Sequence, residues 1–407
     1  MDHRAETAQQ EAADGAVETL QLASQLLRQP SNDTVYEKKM VITFMIIPFS
    51  IAGVLIRIAL QRLETYSGAP VFSLIYAQWV GCFIMGIVTV YKNHLFFVYH
   101  SLQVGVATGL CGSITTFSSW QWGIFAAFAN VSADDHSVGK NILAAISQFL
   151  VTLAMSIHGF RTGRHAGFVL ESMQKKYRHW ARSKRDQQWQ QQTKVCSNGD
   201  TVDETVAMPT ALPLGTPIAN DTKANQHQRR RSSVARIPKL VSLGFSCNHL
   251  TVQDWLVIVF GMLSWVAVIL VAALSPNQQE LSLACVFAPV GALLRWRLSF
   301  YNGATKFTPL GTFIANIFGT LVLAVLYLLR YSVPVSPISC LVLNALSDGF
   351  CGCLTTISTF VVELTILRHR QAYAYGIVSV VSGQCLMFLI VGPYIWTHGI
   401  DLLCGSF

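Results

Sequence analysis

Two short stretches rich in glycine, serine and threonine interrupt strongly apolar sequence and could bind an ion. They are residues 109–116 and 349–356, and each lies in an apolar run that is too long for one clean membrane span. A break in a membrane helix frees backbone N–H and C=O groups that lipid cannot satisfy, so the break must face protein or a water-filled cavity. Broken helices at matching places in two halves of a chain indicate an ion or substrate site. The alternative is that these small residues only allow close helix packing.

The composition places these stretches in a polytopic membrane protein. Of the 407 residues, 52% are hydrophobic and 12% are charged, whereas soluble proteins carry about 25% charged residues. Fifteen of the 29 Lys and Arg residues lie in residues 161–250. Beside membrane spans, such a basic segment indicates a cytoplasmic loop rather than a nucleic-acid site, so no nucleic acid is expected. The ten cysteines show no metal or disulfide spacing, and we expect no redox or metal role for them.

Nine apolar segments are candidates for membrane spans, which need about 20 residues. The third and eighth contain the interrupted stretches. The segments are approximately residues 41–61, 70–91, 95–130, 138–160, 253–274, 280–300, 308–330, 335–367 and 371–397.

The four spans on either side of the fifth form an internal repeat. Arg57 matches Arg295 at an offset of 238, and residues 109–120 match residues 349–360 at an offset of 240. One extra span between two four-span units reverses the second unit in the membrane. The expected fold is therefore all-α, with a 4+1+4 arrangement of two antiparallel halves in which the third helix of each half is broken.

The chain divides at the ends of these spans. A polar cytoplasmic tail precedes the first repeat, a basic cytoplasmic linker and a linking helix separate the repeats, and a short tail follows the second. In order, these segments are residues 1–39, 40–160, 161–250, 251–275, 279–397 and 398–407. With the N-terminus in the cytoplasm, nine spans place the C-terminus outside.

Three motifs resemble those of the fluoride channel family (Fluc, also called CrcB). They are Gly-x-x-x-Arg near the first span, Gly-Thr-Phe-x-x-Asn in the second, and Gly-x-x-Gly-x-x-Thr-Thr-x-Ser-Thr-Phe-x-x-Glu in the broken third. The second half matches closely, at residues 311–316 and 349–363, and the first half has drifted. The fused form with a linking helix resembles the eukaryotic fluoride exporters.

The resemblance implies a pseudo-dimer, folded from one chain, with two narrow fluoride pores and a structural sodium ion at its centre. Phenylalanines of the third helix, an asparagine of the second and Ser/Thr hydroxyls would line each pore. The implied pore residues are Phe117, Phe360, Asn316, Ser118, Ser119, Ser358, Thr359 and Glu363. The implied sodium ligands are the backbone carbonyls of Gly112, Thr115, Gly352 and Thr355.

These residue types suit a small, strongly hydrated anion. Hydroxyl and amide groups donate hydrogen bonds, an aromatic ring has a positive edge, and conduction needs weak, exchangeable sites rather than a fixed cation. The hydroxyls could instead bond back to helix carbonyls. Arg57 and Arg295 either snorkel to the interface or have a structural role at the vestibule.

In the family that the chain resembles, each pore takes the first phenylalanine of the third helix from one half and the second from the other. Compared with that pattern, the two halves have lost complementary residues. Phe117 and Phe360 would supply one pore, whereas Trp120 and Ile357 would supply the other, and Gln78 stands where the second half has its asparagine. This pattern predicts one intact and one degenerate pore. The alternative is neutral drift with both pores active.

The predicted function is passive export of fluoride across the plasma membrane, without enzymatic activity. An inside-negative potential drives an anion outward by roughly 2.3 kcal/mol per 100 mV. The alternative is a coupled secondary transporter of a small anion, which would need an intramembrane carboxylate. Glu363 is the one serious candidate for it. The expected partners are the fluoride ion and the lipid bilayer.

Overall fold

The computed structural model describes residues 39–66, 71–131, 137–197, 251–275, 279–303, 308–332 and 336–399. These residues are almost entirely helical, and none of them forms a β-strand. Seven helices are long and apolar enough to cross a membrane, and the shorter segment Ile75–Val90 is also apolar. The predicted all-helical membrane fold is confirmed at this level. The N-terminal tail, most of the basic linker and the C-terminal tail lie outside the described residues.

The first half contains two long helices, a divided third segment and a very long fourth helix. In the third segment, a π-helix separates two short α-helices, and an extended Thr115–Thr116 pair precedes α5. The bounds are α1 Lys39–Glu64, α2 Ile75–Val98, α3 His100–Val104, π-helix Gly105–Cys111, α4 Gly112–Ile114, α5 Phe117–Phe128 and α6 Val138–Ser197.

The second half repeats this order after the linking helix α7. Its bounds are α7 Val252–Leu274, α8 Gln279–Ser299, a 3-10 turn Phe300–Gly303, α9 Leu310–Ser332, α10 Pro337–Ala345, π-helix Leu346–Cys351, α11 Gly352–Leu354, α12 Ser358–Ile366, α13 His369–Ile390 and α14 Gly392–His398. Both third segments are therefore interrupted where the sequence predicts, and a π-helix leads into each break. Such π-segments are frequent at functional sites.

The linking helix α7 is held by its first turn. Thr251 and Asp254 form a capping box, which satisfies two backbone donors at the helix start. The Tyr99 hydroxyl, between α2 and α3, donates to the Asp254 carboxylate over 2.6 Å. Further along, Gly261 lies directly against the Phe44 carbonyl of α1. Most other α7 side chains are exposed and apolar, as expected of a helix that faces lipid.

The described residues fall into two compact units. One contains Met1–Met173 and Leu250–Phe407, and the other contains Gln174–His249. In the second unit, the described part is helical from residue 174 to residue 197. The first repeat was predicted to end at residue 160, but α6 continues to Ser197 without a helix end at that point.

The cysteines follow the sequence prediction with one exception. Cys82, Cys111, Cys285 and Cys351 are buried free thiols and pack as small apolar residues. Cys340 is the exception because it is disulfide-bonded, whereas the spacing of the cysteines indicated no disulfide. Spacing along the sequence did not identify this bond, because disulfide connectivity cannot be deduced from sequence alone.

Candidate functional site

The two helix breaks are tied together by side chains that cross from one repeat to the other. The Thr115 hydroxyl oxygen accepts hydrogen bonds from the backbone N–H groups of Ile357, at 3.3 Å, and Ser358, at 3.0 Å. In the same way, the Thr355 hydroxyl oxygen accepts from the N–H groups of Phe117, at 3.2 Å, and Ser118, at 3.1 Å. The start of α12 is therefore capped by the first repeat, and the start of α5 by the second.

These two threonines also donate within their own repeats. Each hydroxyl donates to the carbonyl four residues earlier, Cys111 for Thr115 at 3.1 Å and Cys351 for Thr355 at 3.0 Å. All of the N–H and C=O groups named lie in the interior, where an unsatisfied group would be costly. From the sequence, only the backbone carbonyls of these two threonines were given a role, as sodium ligands. The roles of their hydroxyl groups were not predicted.

A continuous cluster of buried hydroxyls surrounds the crossing. The Ser118 hydroxyl lies 3.0 Å from that of Thr355, and the Ser358 hydroxyl lies 3.1 Å from that of Thr115. The Ser119 hydroxyl lies 3.2 Å from that of Thr116. Neither the Ser118 nor the Ser358 hydroxyl donates to a carbonyl of its own helix. Each lies within hydrogen-bond distance of threonine hydroxyls at the two breaks. Thr359, also predicted to line a pore, is partly buried in the first turn of α12.

One amide side chain fixes the backbone of each break. Asn316 donates from Nδ2 to the Thr356 carbonyl over 3.2 Å, and its Oδ1 accepts from the Thr356 N–H over 2.8 Å. Gln78 forms the same pair with Thr116, over 2.7 Å and 3.3 Å. The two amides are therefore equivalent in their bonding, although the sequence suggested that the first half had lost this residue.

Two buried arginines reach the carbonyls of the breaks. Arg295 donates from Nη1 to the Gly112 carbonyl at 2.6 Å and the Thr355 carbonyl at 3.3 Å, and from Nη2 to the Thr108 carbonyl. Arg57 donates to the Ser113 carbonyl at 3.0 Å. Its second nitrogen, Nη2, donates to the backbone carbonyl of Asp348 in the other repeat. Because Arg57 is only 1% exposed and Arg295 4%, neither side chain snorkels to the interface, and the structural reading is supported.

Glycine is required beside each guanidinium. A Cβ atom added to Gly112 would lie 2.5 Å from Cζ of Arg295, and one added to Gly352 would lie 2.6 Å from Cζ of Arg57. No real Cβ atom tolerates such a contact with a group that is itself held by several hydrogen bonds. The glycines at these two predicted sodium ligands therefore make room for the arginines.

Phe117 and Phe360, one from each repeat, meet in the interior. Their ring centroids are 5.6 Å apart with an interplanar angle of 68°, so the edge of one ring points toward the other. Phe117 is fully buried and Phe360 is 1% exposed. The two phenylalanines that were predicted to share one pore are therefore in contact.

Trp120 and Ile357 are the residues that match Phe360 and Phe117 in the opposite repeats. The Trp120 ring also contacts Phe117 edge to face, with ring centroids 5.6 Å apart. The indole of Trp120 is fully buried, donates from Nε1 to the Gln148 carbonyl over 3.2 Å, and stacks on Phe149 at 5.6 Å with an interplanar angle of 10°. Ile357 is 1% exposed and has no ring edge to offer. The indole therefore fills its position by packing and by a hydrogen bond of its own.

Glu363 lies one turn beyond Phe360 and is surrounded by hydrogen-bond donors. Its Oε1 accepts from the Thr312 hydroxyl at 2.5 Å and from Asn302 Nδ2 at 3.4 Å. Its Oε2 accepts from the Tyr375 hydroxyl at 2.8 Å. Asn302 also accepts from the Thr312 N–H over 2.9 Å, which fixes the start of α9.

Sequence reasoning missed three members of this group. Thr312 lies inside a motif that was recognised, next to Gly311, but it was given no role. Tyr375 contacts Phe360, with ring centroids 5.3 Å apart, and Asn302 lies in the turn after α8. No spacing rule relates Asn302 or Tyr375 to Glu363, because the three come from different elements that only the fold brings together.

Comparison with known proteins identifies a family that both repeats match. The family model described as CrcB-like protein, Camphor Resistance (CrcB), matches residues 44–160 and 282–392, which together make up more than half of the chain and correspond to the two repeats. No solved structure matches the chain at a significant level.

Known relatives extend the match to most of the chain. This chain is 30% identical to fluoride export protein 1 of Candida albicans over 380 residues, covering 86% of this chain and 79% of that protein. It is 27% identical to fluoride export protein 1 of Neurospora crassa over 409 residues, covering 86% of this chain and 66% of the relative. A shorter match, 40% identical over 111 residues, covers 27% of this chain and 92% of the fluoride-specific ion channel FluC 1 of Streptococcus pneumoniae. With both repeats matched by one family model, and with relatives aligned along most of its length, this chain belongs to the CrcB-like family.

Proposed function

We propose that this chain is a passive fluoride channel whose pathway runs along Phe117 and Phe360. The observation that carries the proposal is that these two rings, one from each repeat, are buried side by side at the crossing of the breaks. One ring edge is taken up by the contact between the rings, and a remaining ring edge can face an anion and attract it weakly. A weak site permits exit as well as entry. The relatives named as fluoride export proteins and a fluoride-specific ion channel support fluoride as the ion.

The test is fluoride efflux from liposomes that contain the purified protein. A passive channel produces efflux that moves charge and stops unless a potassium ionophore supplies a compensating current. It requires no gradient of protons or sodium. Efflux that is electroneutral, or that depends on such a gradient, would contradict the proposal.

One observation favours the alternative of a coupled transporter. Glu363 is a carboxylate held inside the protein by Thr312 and Tyr375, and such a residue can carry a proton in a coupled cycle. If Glu363 couples transport, Glu363→Gln should abolish the dependence on a proton gradient in the liposome assay. If the chain is a channel, no such dependence exists in either protein.

We propose further that the two halves are antiparallel in a nine-span, 4+1+4 arrangement, with the N-terminus in the cytoplasm and the C-terminus outside. The order of helices in the two halves supports it, with Ile75–Val90 and the broken third segment of the first half added to the seven long apolar helices. The basic linker after the fourth span supports a cytoplasmic location for that linker. A reporter fused after Phe407 should be accessible from the outer face of the plasma membrane. A cytoplasmic signal would contradict this topology.

The two pathways are proposed to be unequal. Replacing Phe117 or Phe360 by Ile removes a ring edge with a modest change of volume and should strongly reduce fluoride efflux. Trp120→Phe and Ile357→Phe change the residues assigned to the degenerate pathway and should leave efflux close to normal. Trp120 also contacts Phe117, with ring centroids 5.6 Å apart, and Trp120→Phe keeps an aromatic ring at that contact. Equal losses in both sets of variants, at equal membrane expression, would show that both pathways conduct.

A structural sodium ion at the crossing of the breaks is also proposed. Carbonyl oxygens of Gly112 and Thr355, from opposite repeats, both lie within hydrogen-bond reach of one nitrogen of Arg295. Two of the four predicted ligands therefore lie close to one point, and each of these carbonyls has a second lone pair. Gly112, Thr115, Gly352 and Thr355 would hold the ion, whose charge would pin the two breaks together.

Thermal unfolding in sodium chloride, compared with N-methyl-D-glucamine chloride, tests the sodium proposal. Because the Arg295 guanidinium already donates to the Gly112 and Thr355 carbonyls, a bound sodium ion must overcome its repulsion. The stabilising effect of sodium should disappear on exchange for the organic cation. An unfolding midpoint that is identical in the two salts would contradict sodium binding and leave the arginines as the cations of this site.

A further inference from the structure

The helices α1 and α8 pack side by side and run in opposite directions. At one end of the pair, the Lys39 ammonium group lies over the ring of Phe300, 5.8 Å from its centre. At the other end, Arg62 Nη2 lies 4.0 Å from Glu280 Oε2. Between these ends, side chains of both helices belong to one buried apolar cluster, among them Ile42, Ile46 and Ile58 of α1 with Ala284, Ala288 and Trp296 of α8.

The cleft beside Lys39 is open, has a volume of about 400 Å³ and carries positive charge. It is lined by Lys39, Arg297, Leu298, Phe300 and Tyr301. The Arg297 guanidinium lies over the adjacent indole ring, with Cζ 5.3 Å from the ring centre. Within the described part of the chain, Arg297 forms no ion pair, and none of the residues that line this cleft is acidic. Two cations around one open space favour an anion.

The cleft at the other end of the same helix pair has a different balance of charge. Its volume is about 170 Å³, and its charged lining residues are Arg62, Glu280 and Asp348. Two carboxyl groups therefore accompany one guanidinium, which already lies 4.0 Å from one of them. The same two helices thus form a cationic cleft at one end only.

Exposed apolar and aromatic surface adjoins the cationic cleft. Tyr301 is 56% exposed, Phe300 is 37% exposed, and Met40, next to Lys39, is 48% exposed. Aromatic side chains at the ends of membrane helices lie at the level of the lipid headgroups, and basic pockets between such helices bind anionic headgroups. A soluble anion would use the two cations alone, whereas a phospholipid would also cover the apolar surface.

We propose that Lys39 and Arg297 bind the phosphate group of an anionic phospholipid in the leaflet at this end of the bundle. The guanidinium can donate two parallel hydrogen bonds to phosphate, and the ammonium group adds a compact positive charge. The acyl chains would lie against Met40 and Phe300. The proposed topology places this end in the cytoplasmic leaflet, which contains the anionic lipids. The site shares no residue with the proposed fluoride pathway.

Native mass spectrometry of the purified protein in detergent tests the site, with phosphatidylserine and phosphatidylcholine added in equal amounts. The parent protein should retain phosphatidylserine preferentially, because phosphatidylcholine carries no net negative charge. Arg297→Gln or Lys39→Gln should lower the affinity for phosphatidylserine roughly fivefold, and the double variant roughly twenty-five-fold. A parent protein without this preference would overturn the proposal before any variant is made.

The matched control is Arg62→Gln, which removes the same type of side chain at the other end of the same helix pair. It should bind phosphatidylserine like the parent protein. Equal losses in Arg62→Gln and Arg297→Gln would show that only the overall charge matters and would overturn a site at this cleft. A double variant that binds phosphatidylserine like the parent protein would overturn it as well.

Inorganic phosphate and glycerophosphoserine distinguish a lipid from a soluble anion. At the concentration of the lipid, neither should displace bound phosphatidylserine, because neither has acyl chains to cover the apolar surface. Full displacement would show that the cleft binds anions in general, and the lipid proposal would be wrong. None of these measurements involves fluoride, so their outcome is independent of the proposed function.

Discussion

Removal of the crossed caps should destabilise the protein far more than removal of an ordinary buried hydroxyl. In Thr115→Val, the side chain keeps its shape but loses the oxygen that accepts from the backbone N–H groups of Ile357 and Ser358. A lost helix cap costs about 0.5–2 kcal/mol, and a buried donor left without a partner costs about 1–3 kcal/mol. Because no water reaches these groups, we expect a total of about 2–4 kcal/mol for each threonine.

The control is Thr89→Val in α2. Thr89 is also buried, but its hydroxyl only donates to the Met85 carbonyl four residues earlier, and no backbone N–H depends on it. Thr115→Ser keeps the accepting oxygen and should behave like the parent protein. The four proteins can be compared by thermal unfolding in detergent, with fluoride efflux as the functional measure. If Thr115→Val unfolds at the same temperature as Thr89→Val, the crossed caps contribute no special stability and the reasoning is wrong.

Three other changes test the surroundings of the breaks. Gly112→Ala should displace Arg295 and reduce both folding yield and efflux, whereas Gly139→Ala, with open space around the added Cβ, should have no effect on either. Arg295→Lys keeps the charge but loses the planar fork that reaches several carbonyls; its unfolding midpoint should fall, and an unchanged midpoint would show that charge alone suffices. Asn316→Ala and Gln78→Ala should lower the unfolding midpoint to similar extents, because each amide holds the backbone of one break. If the pathways are unequal, only Asn316→Ala should also strongly reduce efflux. Unequal midpoints would contradict the equivalence of the two amides.

The sequence predicts much of this arrangement because the relevant signals are local. Interrupted apolar runs locate the breaks, and a nearly constant offset aligns the two halves. The resemblance to the fluoride channel family then pairs Phe117 of one half with Phe360 of the other. For Arg57 the sequence left snorkelling and a structural role open, and only its burial decides between them. Locating the breaks needs only the neighbours of a residue along the chain and a second copy of the motif, because both signals are local.

The features that escaped prediction depend on which distant groups come together. The Thr115 hydroxyl serves α12 of the other repeat, which no pattern around Thr115 reveals. Gln78 differs from Asn316 by one methylene group, and only the position of Thr116 shows that the longer side chain reaches the same backbone atoms.

The crossed caps also have a consequence for the synthesis of the protein. Thr115 and Thr355 are 240 residues apart, so the ribosome makes the first broken helix well before the group that caps it. At roughly 5–20 residues per second, this interval is about 10–50 s. During that time, the N–H groups of Phe117 and Ser118 lie in the bilayer without the oxygen that later satisfies them. The nascent first repeat is therefore an incomplete membrane domain, exposed to the quality-control machinery until the second repeat is inserted.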